Sequence, residues 1–364
     1  MTRRRSVELL CCICVLAFSL LLLFPAAFHA TPQDSGFHVV RNILLGGEGG
    51  WDYVTVDPDA HRVYVPRSTH IQVLDESTGK VIADVADLKG LHGVAVAPEF
   101  GRGFVTGNEP DAVIHVLDLK TLKITGKLTP AGAKDSDSLA YDPVTKRAFI
   151  NTAASNNAQV VDAKTGELIG TVALPGRPEA AVPDGKGSMF VNIVDKDQVA
   201  EYDAKTFAVK NTWSSAPCTK GYGIAMDTVH RRLFLACQPS PTSGVFVVMN
   251  ADTGKVVASM PIGIGSDGAA YDPGTGNAFA TCRDSGDGKN GATYVFHEDA
   301  PDKYSKVAEV KTIYGARTIA LDPKTHHLFS IATEQNEPVP PTAENPNPRP
   351  RPVPNTFTVV EIGK

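Results

Sequence analysis

Asp52, His92, Asp137, Tyr222, Asp267 and Arg317 stand at one repeated position of this chain, five residues before the Asp of a recurring Asp-Pro phrase or its equivalent. In one further copy Pro178 holds that position and Glu179 follows it. Grouped carboxylates suit Ca²⁺, and the addition of an imidazole in the set Asp52, His92, Asp137 and Asp267 suits Zn²⁺ or another transition metal. Arg317 could instead hold the carboxylate or phosphate of a ligand. Around a divalent ion, carboxylates and a histidine can also activate water or polarise a carbonyl, the chemistry of a metal-assisted hydrolase or lactonase. The plainer reading is that these side chains cap strand ends and face water. Either way they are scattered from residue 52 to residue 317, so only the fold can bring them together.

The phrase recurs as GWDYVTVDPDAHRVYV from Gly50, SDSLAYDPVTKRAFI from Ser136, SDGAAYDPGTGNAFA from Ser266 and GARTIALDPKTHHLF from Gly315. Seven registers align, with Asp57, Ala97, Asp142, Pro183, Asp227, Asp272 and Asp322 at the Asp position. Each register carries four short runs rich in Val, Ile, Ala and aromatics, as in SLAYD, RAFIN, AQVVD and ELIGTVAL, and turn residues bound each run. No long segment of helical period interrupts them. DESTGK (75–80), DAKTGE (162–167) and NADTGK (250–255) read as hairpin turns, where Asp or Asn caps the turn and Gly takes positive φ.

A four-stranded meander of this size cannot bury both faces alone and must stack on its neighbours. Seven such sheets around an axis make an all-β, seven-bladed β-propeller. The first strand of each blade is expected nearest the axis, where Ala95, Ala140, Ala181, Ala225, Ala270 and Ala320 let the strands converge. The seventh register supplies only three strands, TIALD, HLFSI and FTVVEIG, while FHVVRNILL (37–45) has no blade of its own. Pairing the two ends would complete that blade and remove an open edge. In this arrangement Asp52, His92, Asp137, Glu179, Tyr222, Asp267 and Arg317 form a polar crown around the mouth of the central channel.

RVYVPR, GSMFVNIVDKDQVAEYDAKT and VVMNADTGKVVASMPIG resemble the YVTN-type repeats of exported, YncE-like seven-bladed propellers. The resemblance covers residues 37–364. Pro183-Asp184-Gly185 is nearest the usual family phrase, and the Asp-Pro registers depart from it mildly. It implies an architecture and an exported location, and leaves the reaction open, since members mostly have none assigned.

Residues 1–30 read as an export segment, with Arg3, Arg4 and Arg5 before the apolar run LLCCICVLAFSLLLLF. Cleavage after Ala30 is expected; the alternative is an uncleaved anchor over residues 9–28, the only part suited to a membrane. The formal charge of −5 becomes −7 without this segment, and no Lys/Arg run tracks a nucleic-acid backbone, which argues against a nucleic-acid partner. Cys218 and Cys237 face each other across a predicted hairpin and are expected to form a disulfide in an oxidising compartment, leaving Cys282 free. Pairing of Cys237 with Cys282 and three buried thiols are the alternatives. The insertion at 333–355 holds eight prolines and is expected to project on the crown side, either as a cover or partner ligand or as a tolerated surface insertion.

GIGSDG (263–268) fits G-x-G-x-x-G but precedes a strand, and RDSGDGKNG (283–291) lacks the EF-hand spacing. His326-His327 is read as a surface pair in a turn on the opposite face. Two Trp, Trp51 and Trp213, offer little repeated stacking for a quinone cofactor. The expectation is therefore a monomeric, non-enzymatic binding or scaffold protein, with a small ligand, ion or protein partner at the channel mouth. The metal-assisted hydrolase is the alternative.

Overall fold

The computed structural model describes residues 35–336, 342 and 351–364. Residues 1–30, expected to be the export segment and carrying Cys11, Cys12 and Cys14, and most of the proline-rich insertion lie outside the described residues. Residues Ser35 to Lys364 form one compact unit. Among the described residues no helix is long and apolar enough to cross a membrane.

Seven four-stranded antiparallel meander sheets make up the body. Blade one comprises Thr55–Asp57, Arg62–Pro66, Ile71–Asp75 and Val81–Val85. Blades two to six occupy 94–128, 136–173, 178–214, 221–262 and 264–313. Blade seven takes Ile319–Asp322, His327–Ala332 and Thr358–Gly363 from the end of the chain and His38–Leu44 from its beginning. That last pairing runs from His38 opposite Gly363 to Leu44 opposite Thr358. The ring therefore closes by strand exchange between the termini, and the seven-bladed all-β expectation holds.

The repeated phrase folds through its turns. The carboxylates of Asp57, Asp142, Asp227, Asp272 and Asp322 each accept the backbone N–H two residues on, which fixes the first hairpin of those blades. In the outer hairpins Asp75, Asp118, Asp162, Asp203 and Asn250 accept from the N–H three residues on. Gly79, Gly166 and Gly254 then take positive φ.

Seven residues after each Asp position stands an aromatic: Tyr64, Phe104, Phe149, Phe190, Phe234, Phe279 and Phe329, all fully buried. Each is worth about 1.5–3 kcal/mol of apolar burial. They fill the space between blades, where every hydrophobic cluster draws residues from neighbouring sheets. On the far side of the ring, arginines clasp one blade to the next through backbone carbonyls. Arg62 donates to Leu119 O, Arg102 to Ala163 O and Lys164 O, Arg147 to Ala204 O and Lys205 O, and Arg41 to Ser77 O. His326 and His327 on this side are partnered, with Nδ1 of each 2.8 Å from Asp272 and 2.6 Å from Glu361 respectively.

Candidate functional site

The first strands line the axis and meet their counterparts in adjacent blades, including blade seven against blade one. Their approach is close: a Cβ on Gly223 would lie 2.7 Å from the Gly268 backbone. A channel of about 150 Å³ runs between Tyr53, Val94, Leu139, Ala181, Ile224 and Ile319.

At the mouth of this channel four of the inner strands are bulged. The register slips between Ser136 and Leu139, Pro178 and Ala181, Gly221 and Gly223, and Ser266 and Gly268. Asp137, Glu179, Tyr222 and Asp267 lie within those slips, the first two followed there by Ser138 and Ala180. A bulge re-aims a side chain that regular pleating would send elsewhere. It also explains the fourth blade, where Pro178 stays in the ladder and Glu179 takes the crown position.

Polar groups one strand further out secure these mouths. Asn151 Nδ2 donates to Glu179 O at 2.6 Å, Asn192 Nδ2 to Gly223 O at 3.1 Å, and Thr281 Oγ1 to Arg317 O. Thr318 Oγ1 donates to Asp52 O at 2.7 Å, and Tyr53 N to His92 O at 2.9 Å. The crown is thus tied blade to blade through its backbone.

Its side chains divide into two groups. In the first, His92 Nδ1 lies 2.8 Å from Asp52 Oδ2 and 3.4 Å from Asp137 Oδ1. One ligand atom from each of Asp52, His92 and Asp137 falls within 4.8 Å of the others. Glu179 joins them from the buried side. It is 6% exposed, and its Oε2 has no hydrogen-bond partner. Burial, with Asp137 and Asp267 nearby, pushes the Glu179 carboxyl up to about 9. Burial raises Asp137 to about 6 against the pull of His92. For His92 burial opposes the charged ring, but Asp52 and Asp137 outweigh it and hold its pKa above the usual value.

The second group is cationic. Arg317 Nε approaches Asp267 Oδ2 at 2.9 Å as an ion pair, without hydrogen-bond geometry. Burial raises the Asp267 carboxyl to about 6 while Arg317 opposes the rise. Asp267 therefore stands with Arg317, apart from the triad of Asp52, His92 and Asp137. Tyr222, Gln238, Gly265, Ser266, Asp267, Arg283 and Arg317 line a cavity of about 200 Å³ here.

Beside it, Cys218 and Cys237 form a disulfide with Cα atoms 5.3 Å apart, and Cys282 is a buried free thiol that burial pushes up to about 12. The expected pairing and the expected free cysteine both stand.

Gln238 and Arg283 escaped the sequence reading, although each directly follows a cysteine that it singled out. So did Asn151, Asn192 and Thr281, which break the apolar second strands RAFINT, SMFVNI and NAFATC. A polar residue nine positions after the Asp register was the available signal.

No family model and no curated protein matches this chain. Solved structures do. Hydrazine synthase of Kuenenia stuttgartiensis is similar at a TM-score of 0.65 and 16% identity, over 79% of this chain and 92% of that one. The WD40 repeats of RRP9 are similar at 0.70 and 9%, over 91% and 99%. A chain of the Mitotic Checkpoint Complex is similar at 0.67 and 13%, over 90% and 95%. These likenesses carry the propeller fold. At such identities they carry nothing of the chemistry at the mouth.

Proposed function

We propose that this chain is an exported propeller of the YVTN type, in which residues 1–30 direct export. In this reading it works as a non-enzymatic binding protein and holds a divalent cation at the acidic half of its channel mouth. Asp52, His92, Asp137 and Glu179 are the ligands. The observation that carries this is Glu179, a buried carboxylate with an unpartnered oxygen set beside three ligand groups already within reach of one another. Carboxyl groups set this close repel one another once ionised, and a cation would offset that repulsion. One imidazole with carboxylates favours a transition metal over Ca²⁺. The exposed side of His92 and the loops around it leave room for a small ligand or protein partner, a use that the rigid loop face of a propeller supports.

Metal-stripped protein titrated with Zn²⁺, Mn²⁺ and Ca²⁺ should take up one equivalent of a transition ion and melt at higher temperature. Asp137→Asn and Glu179→Gln should each weaken uptake by roughly tenfold or more. Absence of both uptake and a thermal shift in the parent chain would refute the metal reading. Turnover of a lactone or ester panel that depends on the ion and on Asp137 would replace the binding role by the hydrolase.

A further inference from the structure

The cavity between blades five, six and seven has a charge balance opposite to that of the acidic group. Two guanidinium groups, Arg283 and Arg317, line it against one carboxylate, Asp267. Asp267 is already engaged by Arg317. Among the described residues no carboxylate lies within ion-pair distance of Arg283, and its Nε is buried without an acceptor. The Nε of Arg317 has Asp267 as its ion-pair partner at 2.9 Å. A charged group without an acceptor is costly and uncommon, and an unpaired guanidinium lining a cavity beside a second one calls for an anion there.

The walls fit an oxygen-rich guest. Arg283 is held over Gly265, which has φ +68; a Cβ there would lie 3.1 Å from both Cβ and Nε of Arg283. Glycine thus lets the Arg283 side chain lie against the backbone. Gln238 adds an amide and Tyr222 a phenol. The disulfide from Cys237 to Cys218 anchors the strand that presents Gln238.

We propose that this cavity is an oxyanion site in which Arg283 and Arg317 take the carboxylate or phosphoryl group of a small ligand. Two forked guanidinium groups match the paired oxygens of either group, which a single lysine would not. Gln238 and Tyr222 orient the ligand from the neighbouring blade. The site shares no residue with the cation cluster, so it does not rest on that reading. With the cation bound, the mouth would present a cation on one side and anion donors on the other.

The test uses the full chain in metal-stripped chloride buffer at fixed ionic strength, titrated calorimetrically with inorganic phosphate and with acetate. Saturable binding of at least one is expected; phosphate alone marks a phosphoryl site, acetate alone a carboxylate site. Arg283→Gln should bind about tenfold or more weakly, and Arg283→Lys should fall between, because it keeps the charge and loses the fork. Zn²⁺ uptake should be unchanged in Arg283→Gln, which separates failure of this site from failure of the cation site. Melting curves verify that each variant folds. If Arg283→Gln does not fold, Gln238→Ala and Arg283→Lys carry the comparison. No saturable binding of either anion to the parent chain, or equal binding by the folded variants, overturns the proposal.

Discussion

Reduction of the bond between Cys218 and Cys237 isolates one covalent term in the stability of this ring. The two cysteines are 19 positions apart and fully buried in blade five, where Gly221 pairs with Cys237 across the hairpin. Closing a loop of that length removes about 3 kcal/mol of chain entropy from the unfolded state at 25 °C. Unfolding entropy near 2 cal/mol/K per residue over the body from Ser35 to Lys364 turns this into a loss of about 4–5 °C in Tm. The assay is calorimetry of the parent chain with and without reductant, with complete reduction verified by mass. The Cys218→Ala/Cys237→Ala double variant should melt lower still, because it also removes two buried sulfurs, at about 1 kcal/mol each. A reduced protein that melts within about 1 °C of the oxidised one would refute the loop-entropy argument. Cys218 alkylated in the native, unreduced protein would refute the bond itself.

Arg67→Met should cost about 3 kcal/mol, seen as a lower Tm and earlier proteolysis near Gly46–Trp51. Arg67 is 1% exposed, and its guanidinium lies 3.5 Å from the Phe357 ring centroid and donates to Gly46 O, Glu48 O and Gln72 Oε1. Unchanged melting and cleavage would show that this buried cation does not pin the closing segment. Glu76→Gln should stabilise the fold at pH 9 and lose that advantage toward pH 5. Burial, then Asp322 and Glu361, push the Glu76 carboxyl up to about 8, with His61 3.8 Å away as the facing imidazole. A raised carboxyl binds its proton more tightly when folded, so the parent chain loses stability as pH climbs from the ordinary carboxyl range through 8. A pH-independent difference between the two proteins would contradict that linkage.

Much of the molecule was readable from its repeats because the signals are local and periodic. Asp57, Asp142, Asp227, Asp272 and Asp322 cap their own turns, so the hairpins appear in the letters. The alanines of the inner strands follow from crowding near an axis. The odd strand at each end could be matched because an unpaired edge is costly in any sheet protein. The cysteine pair followed from one hairpin, and the structure places Cys218 and Cys237 as expected.

What the repeat defines is a ring of equivalent positions, and equivalence in register is not proximity of side chains. The sequence alone placed Asp52, His92, Asp137, Glu179, Tyr222, Asp267 and Arg317 around one opening. Only the tertiary structure divided them, setting His92 between Asp52 and Asp137 while Asp267 turned to Arg317. The register slip between Pro178 and Ala181 shows how Glu179, and not Pro178, reaches the crown. The tertiary structure brought Arg283 and Gln238 to the same mouth from the second strands, where no shared motif marks them. Backbone turns are set by neighbours in the chain, whereas charge pairing and burial are set by neighbours in space.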